Sequence, residues 1–195
     1  MIAPYVAARN PSVAFIVMMA GTGVPGREIL PEQVTSITEA SGESHEEAVK
    51  HGDNEREVLA LFEQGASDEA IGKKMQEISS KVPDEQRKAQ LKALRTPWFQ
   101  FFLKYDPAQD LKKVKCPVLA MIGEKDKQVL PRQNLPAIRK ALEAGGNKQF
   151  EAVELPGLNH LFQTAKTGAP GEYSENEETI APAALNRISS WILKQ

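Results

Sequence analysis

Two side chains in this sequence have the chemistry for cooperative proton transfer: the carboxylate of Asp126, in GEKDKQV, and the imidazole of His160, in LPGLNHLFQ. Each follows an apolar run typical of a buried strand, residues 116–123 before the acid and 149–155 before the histidine. Loops that follow neighbouring parallel strands meet at the carboxyl edge of the sheet. A carboxylate placed there orients an imidazole and stabilises its protonated form. We therefore predict an acid–base pair, in the order acid before base.

The elements that would position this pair alternate between strand and helix. The apolar, β-branched run VAFIVMMA (13–20) predicts another buried strand, ahead of the two already named. Residues 131–146 predict a helix that begins with proline and ends in glycines, and residues 182–195 predict a final helix. This alternation predicts an α/β fold, a partial doubly wound parallel sheet.

A long helical insertion separates the first strand from the second. GTGVPGREILP (21–31) is typical of a loop, and the polar helical segments after it extend to about residue 95. Ser44 with Glu47 predicts a capping box, and Ser67 predicts the cap of the next helix. An apolar stripe at helical spacing then follows, formed by Ile71, Met75, Ile78 and Val82. We expect three parts: a core segment at 1–30, a helical cap at 31–96 and a core segment at 97–195 with the acid and the base.

Composition argues against several classes of function. The net charge is −2 and no basic stripe interleaves with aromatic residues, so nucleic acid is not an expected partner. No apolar run approaches the roughly 18 residues of a membrane span. Cys116 is the only cysteine, which rules out an internal disulfide and a cysteine-rich metal site. His45 and His51 lie six residues apart on different helix faces, so we expect a solvated surface and no bound metal there.

The segment GTGVPG matches the G-x-G-x-x-G pattern through Gly21, Gly23 and Gly26. A dinucleotide fingerprint also needs an opening helix at the third glycine and a second strand ending in an acid about 20 residues on. Here a Val-Pro pair precedes the last glycine, and no second strand follows. We therefore interpret the segment as a flexible loop and expect no nucleotide or other cofactor.

Several segments resemble the α/β-hydrolase family, specifically esterase-like serine hydrolases with a helical cap. The resemblance runs through VKCPVLAMIGEKDKQV, NLPAIRKALEAGGN, ELPGLNHLFQ and ISSWI, and it extends over VAFIVMMAGTGVPG and the helical insertion. It implies that Asp126 is the triad acid and His160 the triad base. It also implies cleavage of carboxylic esters or related acyl compounds through a covalent acyl-enzyme. Leu161 and Phe162 are expected to anchor the histidine loop by packing.

The nucleophile of that family is missing from these residues. It should lie in G-x-S-x-G upstream of the acid, and none of the serines here stands in that motif. The helix predicted in MIAPYVAARN resembles the one that follows the nucleophile, so we expect the serine and the oxyanion hole upstream of Met1. The resemblance therefore implies a C-terminal fragment, which we expect to be inactive alone and prone to self-association through its exposed sheet edge.

Two questions stay open from the sequence. The chain is either part of a complete serine hydrolase or a non-catalytic ligand-binding or interaction domain derived from one. Its compartment is undetermined, with cytoplasm as the default, because MIAPYVAARN is not a signal peptide and a leader would lie upstream of Met1.

Overall fold

A parallel sheet forms the centre of the protein. The structure is a computed structural model that describes residues 2–79 and 82–195. Strands β1 (Ile16–Met19), β2 (Val118–Gly123) and β3 (Phe150–Leu155) pair in the order β1-β2-β3, all parallel. The expected α/β class and parallel pairing are confirmed, although β1 is shorter than the predicted run 13–20 because only its second half pairs with β2.

Helices occupy most of the remaining chain. In chain order they are α1 (Ile2–Ala7), α2 (Gly26–Ala40), α3 (His45–Glu63), α4 (Asp68–Ile78), α5 (Asp84–Leu94), α6 (Pro97–Lys104), α7 (Ala108–Leu111), α8 (Pro131–Ala144) and α9 (Pro182–Ile192), with a 3-10 turn at Pro170–Ser174. The two helices predicted after the second strand are confirmed as α8 and α9. In the part of the chain that the structure describes, no helix is long and apolar enough to cross a bilayer.

Helices cover both faces of the sheet. All six residues of β2 are buried, and successive side chains alternate between two apolar clusters. Ile122 lies in the cluster that contains Leu142 of α8, and Met121 lies in the cluster that contains Trp191 of α9. This two-sided burial explains why the sequence of β2 is a continuous apolar run. It also fixes the end of β2, where the acid loop begins.

Helices α2 to α6 lie between β1 and β2 in the chain. We call them the insertion helices (residues 26–104). They have their own apolar cluster. Ser44 forms the predicted capping box with Glu47, and the Ser67 side chain accepts a hydrogen bond from an amide of the first turn of α4. The predicted apolar stripe ends at Ile78, since α4 stops there and Val82 lies beyond it. The cluster continues to Leu103 of α6, past the expected boundary at residue 96.

The prediction of a loop over residues 21–31 is wrong in its second half, because α2 begins at Gly26. A Cβ on Gly26 would lie 2.6 Å from the Phe102 ring, so the glycine allows α2 to pack closely on α6. Pro31 lies inside the helix and removes one backbone hydrogen bond. Tertiary packing outweighs the local preference that the proline and glycine residues suggested.

Candidate active site

Asp126 lies in the tight turn that follows β2, and its side chain is fully buried. Its Oδ1 atom accepts hydrogen bonds from the backbone N–H groups of Gln128 and Val129, both at 2.8 Å. The backbone of the loop therefore holds the carboxylate in one orientation. The second oxygen, Oδ2, remains free to accept a hydrogen bond from another element.

That hydrogen bond comes from His160. Its Nδ1 atom lies 2.9 Å from Asp126 Oδ2, and a quarter (25%) of the histidine side chain is exposed. An ionised carboxylate only accepts hydrogen bonds, so the neutral ring must carry its proton on Nδ1 and leave the Nε2 lone pair free. The structure thus brings together the two residues singled out in the sequence, and their contact favours the tautomer that a general base needs.

Asn159 shapes the loop on which His160 lies. It is fully buried, and its Oδ1 accepts hydrogen bonds from the amides of Leu161 and Gln163 at 3.0 and 2.9 Å. Its Nδ2 donates to the side-chain oxygen of Gln163, and the Nε2 atom of Gln163 donates to the Glu178 carbonyl. These bonds close a turn around His160 and leave the buried amide satisfied.

The two residues after His160 behave differently from each other. Phe162 is 2% exposed and joins the apolar cluster under α9, so it anchors the loop as expected. It does so with a φ of 60°, a left-handed conformation that is uncommon for an aromatic residue. Leu161 is 43% exposed, so the expectation that it is a packing anchor is wrong. The turn directs one of the two side chains inward and the other to the surface.

The acid loop and the histidine loop are joined by one hydrogen bond between their backbones and one from a backbone amide to a side chain. The amide of Lys125 donates to the Leu158 carbonyl at 2.9 Å, and the Glu124 carboxylate accepts from the Gly157 amide at 2.7 Å. A Cβ on Gly123 would lie 2.2 Å from that same Leu158 oxygen. Glycine at the end of β2 is therefore a condition for the close approach of the two loops.

A chain of side-chain hydrogen bonds connects the acid loop with α2. Gln128 donates to the Tyr173 hydroxyl at 3.0 Å, and its own Oε1 accepts from Gln33 of α2 at 3.3 Å. Burial raises the pKa of Tyr173, and the nearby charge of Asp126 acts in the same direction. The phenol therefore stays neutral and able to donate or accept hydrogen bonds beside the pair.

No nucleophile accompanies this pair within residues 2–79 and 82–195, where no serine hydroxyl is hydrogen-bonded to the His160 ring. Ser80, one of the serines considered in the sequence, lies outside the described residues. The described site can therefore orient an imidazole and accept a proton at Nε2, but it does not itself show what would lose that proton.

The other candidate residues from the sequence lie away from the pair. His45 and His51 are on the surface of α3, with side chains 76% and 50% exposed, and they contact Glu39 and Glu43 respectively. This confirms the solvated helix surface. Gly23 donates its amide hydrogen to the side chain of Asn134 at 2.8 Å, and a Cβ there would contact α8. The Gly23 amide is thus already engaged in packing on α8.

Neither the family models nor the curated proteins with which the chain was compared gave a match. Sequence reasoning predicted the pairing of Asp126 with His160 but missed the residues that hold them, chiefly Asn159, Gln128 and Tyr173. Asn159 directly precedes the histidine after a Pro-Gly turn, and such a position favours a side chain that closes a turn on its own backbone. Tyr173 carries no comparable local signal.

Proposed function

We propose that this chain carries the acid and base of a serine hydrolase of the α/β-hydrolase type, acting on carboxylic ester or related acyl substrates. The observation that carries the proposal is the 2.9 Å contact between buried Asp126 and the partly exposed His160 ring. The two residues lie on loops after adjacent parallel strands, which is where such a fold would present them. In the same proposal the insertion helices are the cap.

The chemistry would follow from the free Nε2 atom of His160. A serine hydroxyl supplied from outside these residues gives its proton to Nε2 while its oxygen bonds to the acyl carbon. The protonated ring, held by Asp126, then returns that proton to the departing alcohol as the ester C–O bond breaks. Water repeats the sequence on the acyl-enzyme, releasing the carboxylic acid and restoring the serine. No proton is transferred to Asp126 at any step.

The first prediction is that these 195 residues alone have no serine-dependent esterase activity, because the nucleophile and the oxyanion donors are not part of them. The measurement is labelling with a fluorophosphonate probe, read by intact mass, alongside turnover of p-nitrophenyl esters. We expect an unlabelled protein and only background hydrolysis. Stoichiometric labelling at any serine would contradict the proposal. A second test is the DNA sequence upstream of Met1. An open reading frame that continues upstream and encodes G-x-S-x-G would support the hydrolase proposal, whereas an in-frame stop codon directly before Met1 would favour the second candidate below.

A second candidate function is a non-catalytic ligand-binding domain. It is favoured by a groove of about 380 Å³ among the insertion helices, open to solvent on one side and lined mainly by residues of α2 to α6 and by neither Asp126 nor His160. That volume lies within the range of small-molecule sites, about 300–1,000 Å³. The site is separate from the acid–base pair, so a ligand bound there does not depend on whether the pair is catalytic.

The second prediction concerns the open edge of the sheet. β1 is one of the two outer strands in the order β1-β2-β3, and its terminal residue Met19 is 41% exposed. Unpaired strand edges with apolar neighbours pair with other chains. We therefore expect self-association, measured by size-exclusion chromatography with light scattering over a range of concentrations. A stable monomer at every concentration would contradict this. The variant Met19→Lys, at the exposed end of β1, should shift the protein towards monomer.

A further inference from the structure

The orientation of the Asp126 carboxylate depends on the two residues whose amides donate to its Oδ1 atom. The amides of Gln128 and Val129 both lie 2.8 Å from that oxygen. Val129 is anchored by its own side chain, which is 7% exposed and belongs to the apolar cluster that contains Leu142 of α8. The Gln128 side chain is polar and only partly buried, so apolar packing does not anchor it in this way. Whatever holds Gln128 therefore also holds one side of the acid.

Two side chains from distant parts of the protein hold the amide group of Gln128. Its Nε2 atom donates to the Tyr173 hydroxyl at 3.0 Å, and its Oε1 atom accepts from Gln33 of α2 at 3.3 Å. Among the described residues, no other hydrogen bond joins the insertion helices to the acid loop (residues 124–129). The insertion helices therefore reach the acid through the side chain of Gln128.

The segment that carries Tyr173 is itself tied down. We call residues 164–178, between the histidine loop and α9, the strap. The Glu172 carboxylate accepts hydrogen bonds from the Thr167 hydroxyl and from three neighbouring backbone amides, which lower the pKa of Glu172 to about 2. The Lys125 ammonium group of the acid loop donates to two carbonyls of the strap, at 2.8 and 2.9 Å. The Tyr173 hydroxyl is therefore held in place beside the acid loop.

We propose that Gln128 is a positioning residue for the acid–base pair. Its side chain is held by Tyr173 and Gln33, and its backbone amide in turn orients the acid. The oriented carboxylate of Asp126 favours the Nδ1-protonated form of His160, in which Nε2 accepts a proton. Because Gln33 belongs to α2, the state of the base then depends on how the insertion helices lie on the acid loop. This inference rests on the proposed serine hydrolase function and deepens it by adding regulation of the same site.

The test uses the 195-residue chain and two readouts. The first is hydrogen exchange of the Val129 amide, which is bonded to Asp126, relative to the Val118 amide, which donates to the Gln149 carbonyl at the other end of β2. The second is nitrogen-15 NMR of the His160 ring at about pH 9, where an ordinary histidine is neutral. When the acid is held less firmly, the fraction of the Nδ1-protonated form falls, and the signals of the two ring nitrogens move towards each other.

Three variants remove the contacts of Gln128. Tyr173→Phe removes one hydroxyl group and should speed the relative exchange at Val129 about fivefold, the effect of one hydrogen bond between uncharged groups. Gln33→Met removes the bond from α2 and should act in the same direction by a smaller factor, because that bond is longer. Gln128→Met removes both bonds at similar side-chain volume and should have the largest effect. The shifts of the His160 ring signals should follow the same order.

Gln133→Met is the matched control, because it removes a hydrogen bond of the same kind between the core and α2. Gln133 of α8 donates to the Glu28 carbonyl at 2.9 Å, and no hydrogen bond joins its side chain to the acid loop within the described residues. The control should leave both readouts unchanged. Comparison with Gln33→Met then separates loss of the Gln128 contact from a general weakening of the position of α2.

Three results would overturn the proposal. The first is unchanged Val129 exchange in Tyr173→Phe and Gln128→Met. The second is faster exchange with unaltered His160 signals, since Gln128 would then stabilise the turn without positioning the base. The third is an equal acceleration at Val118, which would indicate global destabilisation. All three leave the serine hydrolase proposal standing, whereas a wild-type His160 that is not protonated on Nδ1 would overturn both.

Discussion

Replacing Asp126 with asparagine is expected to move the ring proton of neutral His160 from Nδ1 to Nε2. The side-chain oxygen of the new asparagine would keep the two backbone hydrogen bonds, from Gln128 and Val129, that now reach Oδ1 of the acid. Its amide group would then occupy the place of Oδ2 and could only donate towards His160. The ring nitrogen that faces it must become an acceptor, so the proton moves to Nε2. A base with Nε2 protonated no longer accepts a proton from a substrate or nucleophile.

Nitrogen-15 NMR of the histidine rings measures this change directly, at about pH 9, where an ordinary histidine is neutral. In the wild-type protein we expect Nδ1 of His160 to be the protonated nitrogen, and in Asp126→Asn we expect Nε2. Where a serine is supplied, the same variant should lower kcat about ten-thousandfold.

Asp106→Asn is the matched control for this variant. Asp106 also accepts a backbone N–H hydrogen bond, from Ala108 at 2.9 Å, and no hydrogen bond joins it to a histidine within the described residues. It should leave the His160 tautomer unchanged. A wild-type protein whose His160 is already protonated on Nε2 would contradict the pairing described above, whatever the variant shows.

The placement of Asp126 and His160 could be predicted because each follows a short apolar run, and β2 and β3 proved to be adjacent parallel strands. Strands buried on both faces have a strong local pattern, and a parallel sheet brings the loops after its strands to one edge. The supporting contacts could not be predicted in this way. The hydrogen bond from Gln128 to Tyr173 joins residues 45 positions apart, and nothing local marks them as partners.

The start of α2 illustrates a different limit of sequence reasoning. Pro25, Gly26 and Pro31 are local signals for a loop, yet residues 26–40 form a helix. The deciding contact is between Gly26 and Phe102, residues brought together only by the packing of α2 on α6. Propensity is a weak preference that tertiary burial overrides. Leu161 shows the same limit, since the left-handed turn at Phe162 determines which side chain is buried.

Gly123→Ala is expected to destabilise the protein and to separate the acid from the base. The added Cβ would lie 2.2 Å from the Leu158 oxygen and 2.6 Å from the Asn159 oxygen, which are backbone atoms and have little freedom to move. The φ angle of Gly123 is not in the left-handed region, so the effect isolates steric overlap from backbone strain. We expect a loss of about 2 kcal/mol or more in the free energy of unfolding, as for other overpacked interior positions.

Gly171→Ala is the matched control, since a Cβ there meets nothing within 4 Å and its φ also lies outside the left-handed region. It should change the free energy of unfolding by no more than about 0.5 kcal/mol.

Urea denaturation measures the stability of both variants, and the NMR signals of the His160 ring report changes at the site. In Gly123→Ala the histidine loop must move away from the end of β2, so the Nδ1 proton should exchange faster with water. An unchanged stability together with an unchanged His160 signal would show that the loops do not depend on this close approach. Because the Lys125 amide donates to that same Leu158 oxygen, a displaced Leu158 also weakens the loop that carries Asp126. The glycine at the end of β2 therefore controls the distance between the acid and the base without contacting either side chain.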